Sequence, residues 1–231
     1  WIKMFFEEIL DNIDKDQMAL DVKNKGWFLF DNKISNEFIN STKKEIDKLS
    51  SEKNVEVNFN GTEHRIWKSN LKSENIQEFF NFSNKVISFI CKSDQIAYDI
   101  LAIRNQKLND LNDKKTTKLR WHLDSFNNQL KVFLFLSDVN EKSGPFELIP
   151  DTHKKIFKVK NMFPAGYFRF SDFFSKNGKR SYAHLDDNIV NKIIVKGYPV
   201  KSFLVDEGTI AVVDTSCIHR AKTLEYGARY A

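Results

Sequence analysis

The sequence is poor in the features that mark several common protein classes. Its two cysteines, Cys91 and Cys217, are far apart and form no C-x-x-C pair. Neither a disulfide framework nor a thiolate zinc site is therefore expected, and a reducing, cytoplasmic setting fits best. No apolar run approaches the ~18 residues of a membrane span, so no membrane association is expected. The opening stretch Trp1-Ile-Lys-Met-Phe-Phe-Glu-Glu-Ile-Leu has two acids and no small-residue cleavage site, which argues against a signal peptide. There is no internal repeat, and the polar low-order candidates are confined to Ser50 to Gly61 and Asn109 to Lys118. An initiating Met is also missing, and the chain stops at Arg229-Tyr230-Ala231 in what reads as the start of a strand. The sequence is accordingly expected to be a piece of a longer chain, truncated at its C-terminus.

What is present fits a globular protein. Hydrophobic residues make up 41% and charged residues 29% of 231 residues, enough for the core of a single domain. The net charge of +5 and a pI near 9.0 come from lysines scattered among asparagines. No basic block is interleaved with aromatics, so a solvated basic surface is expected, with no nucleic-acid partner; an anionic small substrate is compatible with it.

Residues 1–94 read as a helical buttress. Ile2, Phe5, Phe6, Ile9, Leu10 and Ile13 recur at helical spacing. Gly26 to Phe30 reads as a short strand. Ser35 caps a second helix burying Phe38, Ile39, Thr42, Ile46 and Leu49, and a third starts near Glu74 with Ile76, Phe79, Phe80, Ser83, Ile87 and Ile90 inward. From Gln95 to residue 231 the pattern is one of strands: Ile96 to Ile103, the segments holding His122, Phe133 and Phe146, then Tyr198 to Val205, Thr209 to His219 and a last strand at Ala228. Gly144-Pro145, Pro150-Asp151 and Asp206-Glu207-Gly208 punctuate them as turns, and residues 160 to 195 read as insertion loops over one mouth. Helices first and short antiparallel strands afterwards predict a mainly β fold with flanking helices, a double-stranded β-helix of jelly-roll, cupin-like type.

Within this frame, His122-Leu-Asp124 is the candidate metal pair. In a strand, side chains at i and i+2 share a face, so an imidazole and a carboxylate converge. Such a pair is two-thirds of the 2-His-1-carboxylate triad that holds non-heme Fe(II) with coordination positions open. The tripeptide is repeated at His184-Leu-Asp186, so context must decide. His122 precedes the strand-forming run Leu130 to Leu136, whereas His184 precedes Asp187, Asn188 and a short Ile-Val-Asn-Lys-Ile-Ile segment, which favours His122 and Asp124. The third ligand is expected from His219, 97 positions after His122, a gap that leaves room for several intervening strands. From His184 the gap is 35, too short for them to be comfortable. Arg229, ten residues after His219, is placed to take the far carboxylate of a 2-oxo acid. Arg220 is expected to face the other way.

These residues resemble the phytanoyl-CoA dioxygenase family of Fe(II)- and 2-oxoglutarate-dependent oxygenases. The resemblance is carried by Trp121-His-Leu-Asp124, by Leu136-Ser-Asp-Val-Asn-Glu-Lys-Ser-Gly-Pro-Phe-Glu-Leu-Ile-Pro-Asp-Thr-His-Lys154, and by Glu207-Gly-Thr-Ile-Ala-Val-Val-Asp-Thr-Ser-Cys-Ile-His219 with Arg229. Asp151-Thr152 stands where the family usually has Gly-Ser. The resemblance covers roughly residues 24 to 231. It implies an oxidoreductase, a dioxygenase, with His122, Asp124 and His219 as iron ligands and Arg229 as the 2-oxoglutarate anchor. Arg104-Asn-Gln-Lys-Leu-Asn109 is similar to a segment of ectoine-hydroxylase-like members whose last asparagine touches the cosubstrate, which implies the same of Asn109. Because Asp124 is present where the family's halogenases have a small residue, the implied reaction is hydroxylation of a small molecule with Fe(II), 2-oxoglutarate and O2, giving succinate and CO2. A monomer or homodimer is expected.

Other candidates have plainer readings. His153 is expected to have a structural hydrogen-bonding role rather than serve as a fourth ligand. His64 is a surface or loop histidine that the resemblance would let line the substrate mouth. Trp67, Phe168 and Phe170 are expected to pack as core or lid, Arg169 and Arg180 to be solvated, and Cys217 to fill space behind His219. Two alternatives stay open: a cupin-type metal barrel with non-oxidative chemistry, which has no use for Arg229, and a catalytically silent binding module.

Overall fold

The computed structural model describes residues 2–31, 34–53, 55–58, 61–94, 97, 99–107, 120–167 and 184–231. Asn109, the stretch Asn109 to Lys118, and Phe168, Arg169, Phe170 and Arg180 lie outside the described residues.

Helices α1 (Ile2–Asn12), α2 (Lys15–Lys25), α3 (Asn36–Ser50) and α4 (Glu74–Cys91) pack on one side. Ser35 caps α3 as expected, its hydroxyl accepting from the Phe38 N–H, and Phe38, Ile39, Thr42, Ile46 and Leu49 are all buried. Ser73 caps α4 in the same way, through the Ile76 N–H. The buried stripe of α4 runs through Ile76, Phe79, Phe82, Ser83 and Val86. It is rotated from the expected one, because Phe82 is drawn to Phe6 of α1, the ring centroids 5.1 Å apart. Phe80, Ile87 and Ile90 instead line a groove of about 1250 Å3 between α4 and the strand at residues 130–134. Helix α2 was not apparent from periodicity, since Met18 and Val22 are its only buried residues. Its boundaries are nevertheless written in the sequence: Asp14 accepts from the Gln17 N–H, and Gly26 closes the helix in the left-handed region.

The strands are β1 (Trp27–Leu29), β2 (Glu56–Asn58), β3 (Glu63–Trp67), β4 (Leu101–Gln106), β5 (Leu130–Leu134), β6 (Phe146–Ile149), β7 (Lys201–Ser202), β8 (Ile210–Asp214), β9 (Ile218–Ala221) and β10 (Ala228–Tyr230). They form three antiparallel sheets, ordered β1-β8-β5, β10-β4-β3-β2 and β7-β6-β9. A mainly β architecture with flanking helices is thus observed. Strand β8 is buried at every residue. Ile210 and Val212 join the core beneath the helices, while Ala211 and Val213 join an inner core with Phe135, Leu148, Phe203 and Cys217. Such a strand, covered on both faces, is apolar from Ile210 to Val213 and ends in Asp214, whose buried carboxylate accepts from the Gln129 and Ser216 N–H groups.

Several boundaries differ from the sequence reading. The hairpin β2–β3 occupies part of the stretch read as polar and low in order, and it places His64 in a strand rather than a loop. Trp67 is neither core nor lid: it is 49% exposed, and its indole N–H donates to Glu56. The expected strand Tyr198 to Val205 shrinks to β7 and a bridge between Val205 and Val139. Residues 160 to 195 are not all loop, since a π-turn covers Lys158–Met162 after the short helix α5 (Lys155–Phe157), and α6 spans Asp187–Val195.

Gly26 shows how tightly the helical layer meets the inner core. Its φ is +85°, and an added Cβ would lie 2.6 Å from Cys217 Sγ and 3.0 Å from His153 Nδ1. Gly26→Ala is expected to destabilise the protein by about 2 kcal/mol, read as a lower thermal midpoint with unchanged secondary structure by circular dichroism.

Candidate metal centre

The backbone brings the candidate ligands together. His122 and His219 face each other as an isolated antiparallel bridge. The His122 N–H donates to the His219 carbonyl at 3.0 Å, and the His219 N–H donates back to the His122 carbonyl at 2.9 Å. This reciprocal pair sets the imidazole centroids 4.3 Å apart. Two residues on, the Asp124 N–H donates to the Thr215 carbonyl at 3.0 Å, which ties the carboxylate to the turn between β8 and β9. His219 does not end a single long strand from Thr209: that strand stops at Asp214, and a turn re-aims the chain into β9. The turn lets one segment supply both the anchor for Asp124 and the partner of His122.

Alternation does the rest. Trp121 and Leu123 are buried in a second core with Phe157, Met162 and Ile218, so His122 and Asp124 face away from it, toward one point. Arg220 turns to the opposite side from His219, as expected. Its guanidinium stacks on Trp121 at 4.2 Å and its Nε donates to the buried Glu147 at 2.7 Å.

Ligand atoms of His122, Asp124 and His219 lie within 4.8 Å of one another. Both imidazoles are held in the same tautomer. His122 Nδ1–H donates to the Arg120 carbonyl and His219 Nδ1–H donates to the Cys217 carbonyl, each at 2.9 Å. Both Nε2 lone pairs are left pointing at Asp124 Oδ1, at 3.5 and 3.7 Å. Two lone pairs and a carboxylate oxygen converging on one point repel each other unless a cation sits between them, and backbone carbonyls on the far ring nitrogens are the usual outer support of metal-ligating histidines. The residues fit a divalent cation. Burial pushes the His219 pKa down to about 4, with Asp124 opposing, so the ring is neutral and ready to donate at neutral pH. Burial would raise the Asp124 carboxyl, but the groups packed against it, His122, His219 and the Lys131 ammonium, hold it far below the usual carboxylate range.

Lys131, on β5, escaped the sequence reading. Its Nζ donates to Asp124 Oδ2 at 2.6 Å, which occupies one carboxylate oxygen and leaves Oδ1 to the cation. The available signal was its place in the alternation Lys131, Phe133, Phe135, the inward face of β5. Phe133 packs on Phe146, whose ring in turn lies 5.3 Å from that of His219.

The competing pair is separated. Asp186 caps α6 by accepting from the Asn188 N–H at 2.8 Å, while His184 is exposed with its ring 6.1 Å from that of His122. His153 is structural: Nε2–H donates to the Lys23 carbonyl at 2.9 Å, and Nδ1 faces Cys217 Sγ at 3.4 Å. The Cys217 thiol, pushed up to about 12 by burial and the nearby Asp214, stays protonated. Arg229 is turned inward. Its guanidinium donates to the Gly144 carbonyl and, at 2.9 Å, to Asn105 Oδ1. Gly144 makes the seat possible, since at φ +68° an added Cβ would lie 2.6 Å from the Lys222 carbonyl and 3.2 Å from the guanidinium.

No protein-family model and no curated protein matches the chain. Solved structures do share its fold. The epimerase SnoN from nogalamycin biosynthesis, in complex with Fe3+, alpha ketoglutarate and nogalamycin RO, superposes with a TM-score of 0.64 at 11% identity, covering 94% of this chain and 80% of that one. HygX from Streptomyces hygroscopicus, with nickel, 2-oxoglutarate and hygromycin B bound, gives 0.58 at 12% identity over 93% and 83%. EctD from S. alaskensis with bound Fe gives 0.61 at 13% identity over 94% and 74%.

Two outcomes are expected. His122→Ala abolishes stoichiometric Mn(II) binding by titration calorimetry while His184→Ala retains it; the reverse would move the site to His184. For the metal-free protein, the unfolded chain holds a proton on residue 219 between about pH 4 and 6.5 that the folded chain does not. Stability therefore falls as pH drops through that window, by roughly 3 kcal/mol if the whole shift counts, and His219→Gln flattens the dependence of the thermal midpoint on pH.

Proposed function

We propose that the protein is an Fe(II)- and 2-oxoglutarate-dependent dioxygenase that hydroxylates a small-molecule metabolite, built as one domain around a double-stranded β-helix. The observation that carries this reading is the convergence of two imidazole Nε2 atoms and one carboxylate oxygen within 4.8 Å of one another, together with a guanidinium seated inward at Arg229. Support also comes from the fold, which is shared with proteins solved with Fe3+ or nickel and with alpha ketoglutarate or 2-oxoglutarate. The cupin-type alternative gives Arg229 no role, and a silent binding module gives none to the fixed tautomers.

Bound Fe(II), with 2-oxoglutarate and O2, supplies the oxidising chemistry: decarboxylation to succinate and CO2 coupled to insertion of oxygen into a C–H bond of the substrate. The protein supplies placement and charge. His122 and His219 would hold the metal through Nε2, their other nitrogens locked by backbone carbonyls. Asp124 would contribute Oδ1, since Lys131 keeps Oδ2 engaged. The presence of Asp124, where halogenases of the family that the sequence resembles have a small residue, favours hydroxylation. Arg229 receives the remote carboxylate of the oxo acid by charge-assisted hydrogen bonds. Phe133, Phe146 and Phe203 give the interior an apolar wall that limits water near the metal.

Purified protein with Fe(II) and ascorbate is expected to release succinate slowly from 2-oxoglutarate even without a second substrate. Arg229→Gln should raise the KM for 2-oxoglutarate about 100-fold, the loss of a charged pair worth roughly 3 kcal/mol. An unchanged 2-oxoglutarate requirement in that variant would support the cupin reading.

A further inference from the structure

The register of the sheet β10-β4-β3-β2 sets three polar residues in one row across three neighbouring strands. Asn105 of β4 lies opposite Glu63 of β3 on one side and opposite Arg229 of β10 on the other. Residues directly opposite one another point to the same face of a sheet. Their side chains are joined end to end. The Arg229 guanidinium donates to Asn105 Oδ1 at 2.9 Å, Asn105 Nδ2 donates to Glu63 Oε2 at 3.0 Å, and Glu63 Oε1 accepts from Arg65 Nε at 2.7 Å. Glu63 is 4% and Asn105 8% exposed.

The order of the groups in this row is informative. A guanidinium serving only a structural ion pair would meet the buried carboxylate directly, fork to fork, and its charge would be spent there. Here an amide stands between them, and the carboxylate is paired with Arg65 instead. Among the described residues Arg229 is held by two neutral acceptors, the Asn105 amide oxygen and the Gly144 carbonyl. Two acceptors on different elements fix the plane of the guanidinium, while its positive charge and other N–H groups stay available to an anion. Glu63 fixes the amide in turn: by accepting from Nδ2 it forces Oδ1 toward Arg229.

We propose that Asn105 and Glu63 are positioning residues that hold the Arg229 guanidinium in one place, and so set which length of dicarboxylic 2-oxo acid the site accepts, with the five-carbon acid preferred. This rests on the function proposed above. A rigid anchor discriminates against an acid one methylene longer, because the remote carboxylate overshoots a donor that cannot retreat.

The test measures anaerobic binding of 2-oxoglutarate, and of the dicarboxylic 2-oxo acid one methylene longer, to Ni(II)-loaded protein by calorimetry. Ni(II) affinity and thermal midpoint are measured alongside. The wild type is expected to prefer 2-oxoglutarate by at least about ten-fold. Asn105→Ala should weaken 2-oxoglutarate by roughly 10- to 100-fold, reduce the preference to a few-fold and leave Ni(II) affinity unchanged. The near-isosteric Glu63→Gln should shift both quantities the same way by less, and it decides the matter if Asn105→Ala does not fold. Folded variants with wild-type preference, or an equal loss for both acids, would overturn the positioning role and leave the oxygenase reading standing. A wild type that binds Ni(II) but neither acid would overturn both.

Discussion

The candidate site depends on one reciprocal backbone contact, the pair of hydrogen bonds between His122 and His219. Two residues that exchange N–H and carbonyl in this way have little freedom left in their relative position. Their side chains leave the bridge on one face, so the imidazoles are set side by side before any ion is considered. The contact is itself fixed from both flanks. On one side β9 is laddered to β6, with Leu148 opposite His219; on the other, Trp121 and Leu123 are sunk in a core with Ile218. Apolar burial thereby sets the geometry of a polar site.

The electrostatics follow from that geometry. Bringing a carboxylate and two lone pairs together away from bulk water is costly without positive charge nearby, and Lys131 provides one such charge at Asp124 Oδ2. The rings cannot relieve the crowding by switching tautomer, because Arg120 and Cys217 hold their Nδ1 hydrogens. What remains is a converging set of three donors with one consistent requirement, a cation. The row from Arg65 to Arg229 repeats the pattern with opposite sign, a cation held in place by neutral acceptors, so that its charge is directed at a ligand rather than absorbed by the protein.

The buried polar groups behind the site have a different character. Asp214 accepts from the Gln129 and Ser216 N–H groups, Thr152 caps the Ile218 N–H, and His153 ties α2 to Cys217. Each satisfies a backbone group or a neighbour, and among the described residues none belongs to a converging set of metal-ligand atoms. That difference separates His153 from His219, although both are buried histidines.

The sequence by itself determined the amphipathic helices, the apolar run at 210–213, and the phase of residues 121–124, because local periodicity and capping residues such as Ser35 do not depend on distant chain. Apolar Trp121 and Leu123 alternating with His122 and Asp124 already implied a shared face. Tertiary structure alone decided the rest. Sequence context favoured His122-Leu-Asp124 over the second tripeptide, but its meeting with His219 turned on the turn at 215–217, a consequence of how separate strands are laid side by side. Lys131 looked like any surface lysine until β5 faced it toward Asp124. The row of Glu63, Asn105 and Arg229 was invisible for the same reason: its members are up to 124 positions apart for a single hydrogen bond, and only the register of three strands makes them neighbours.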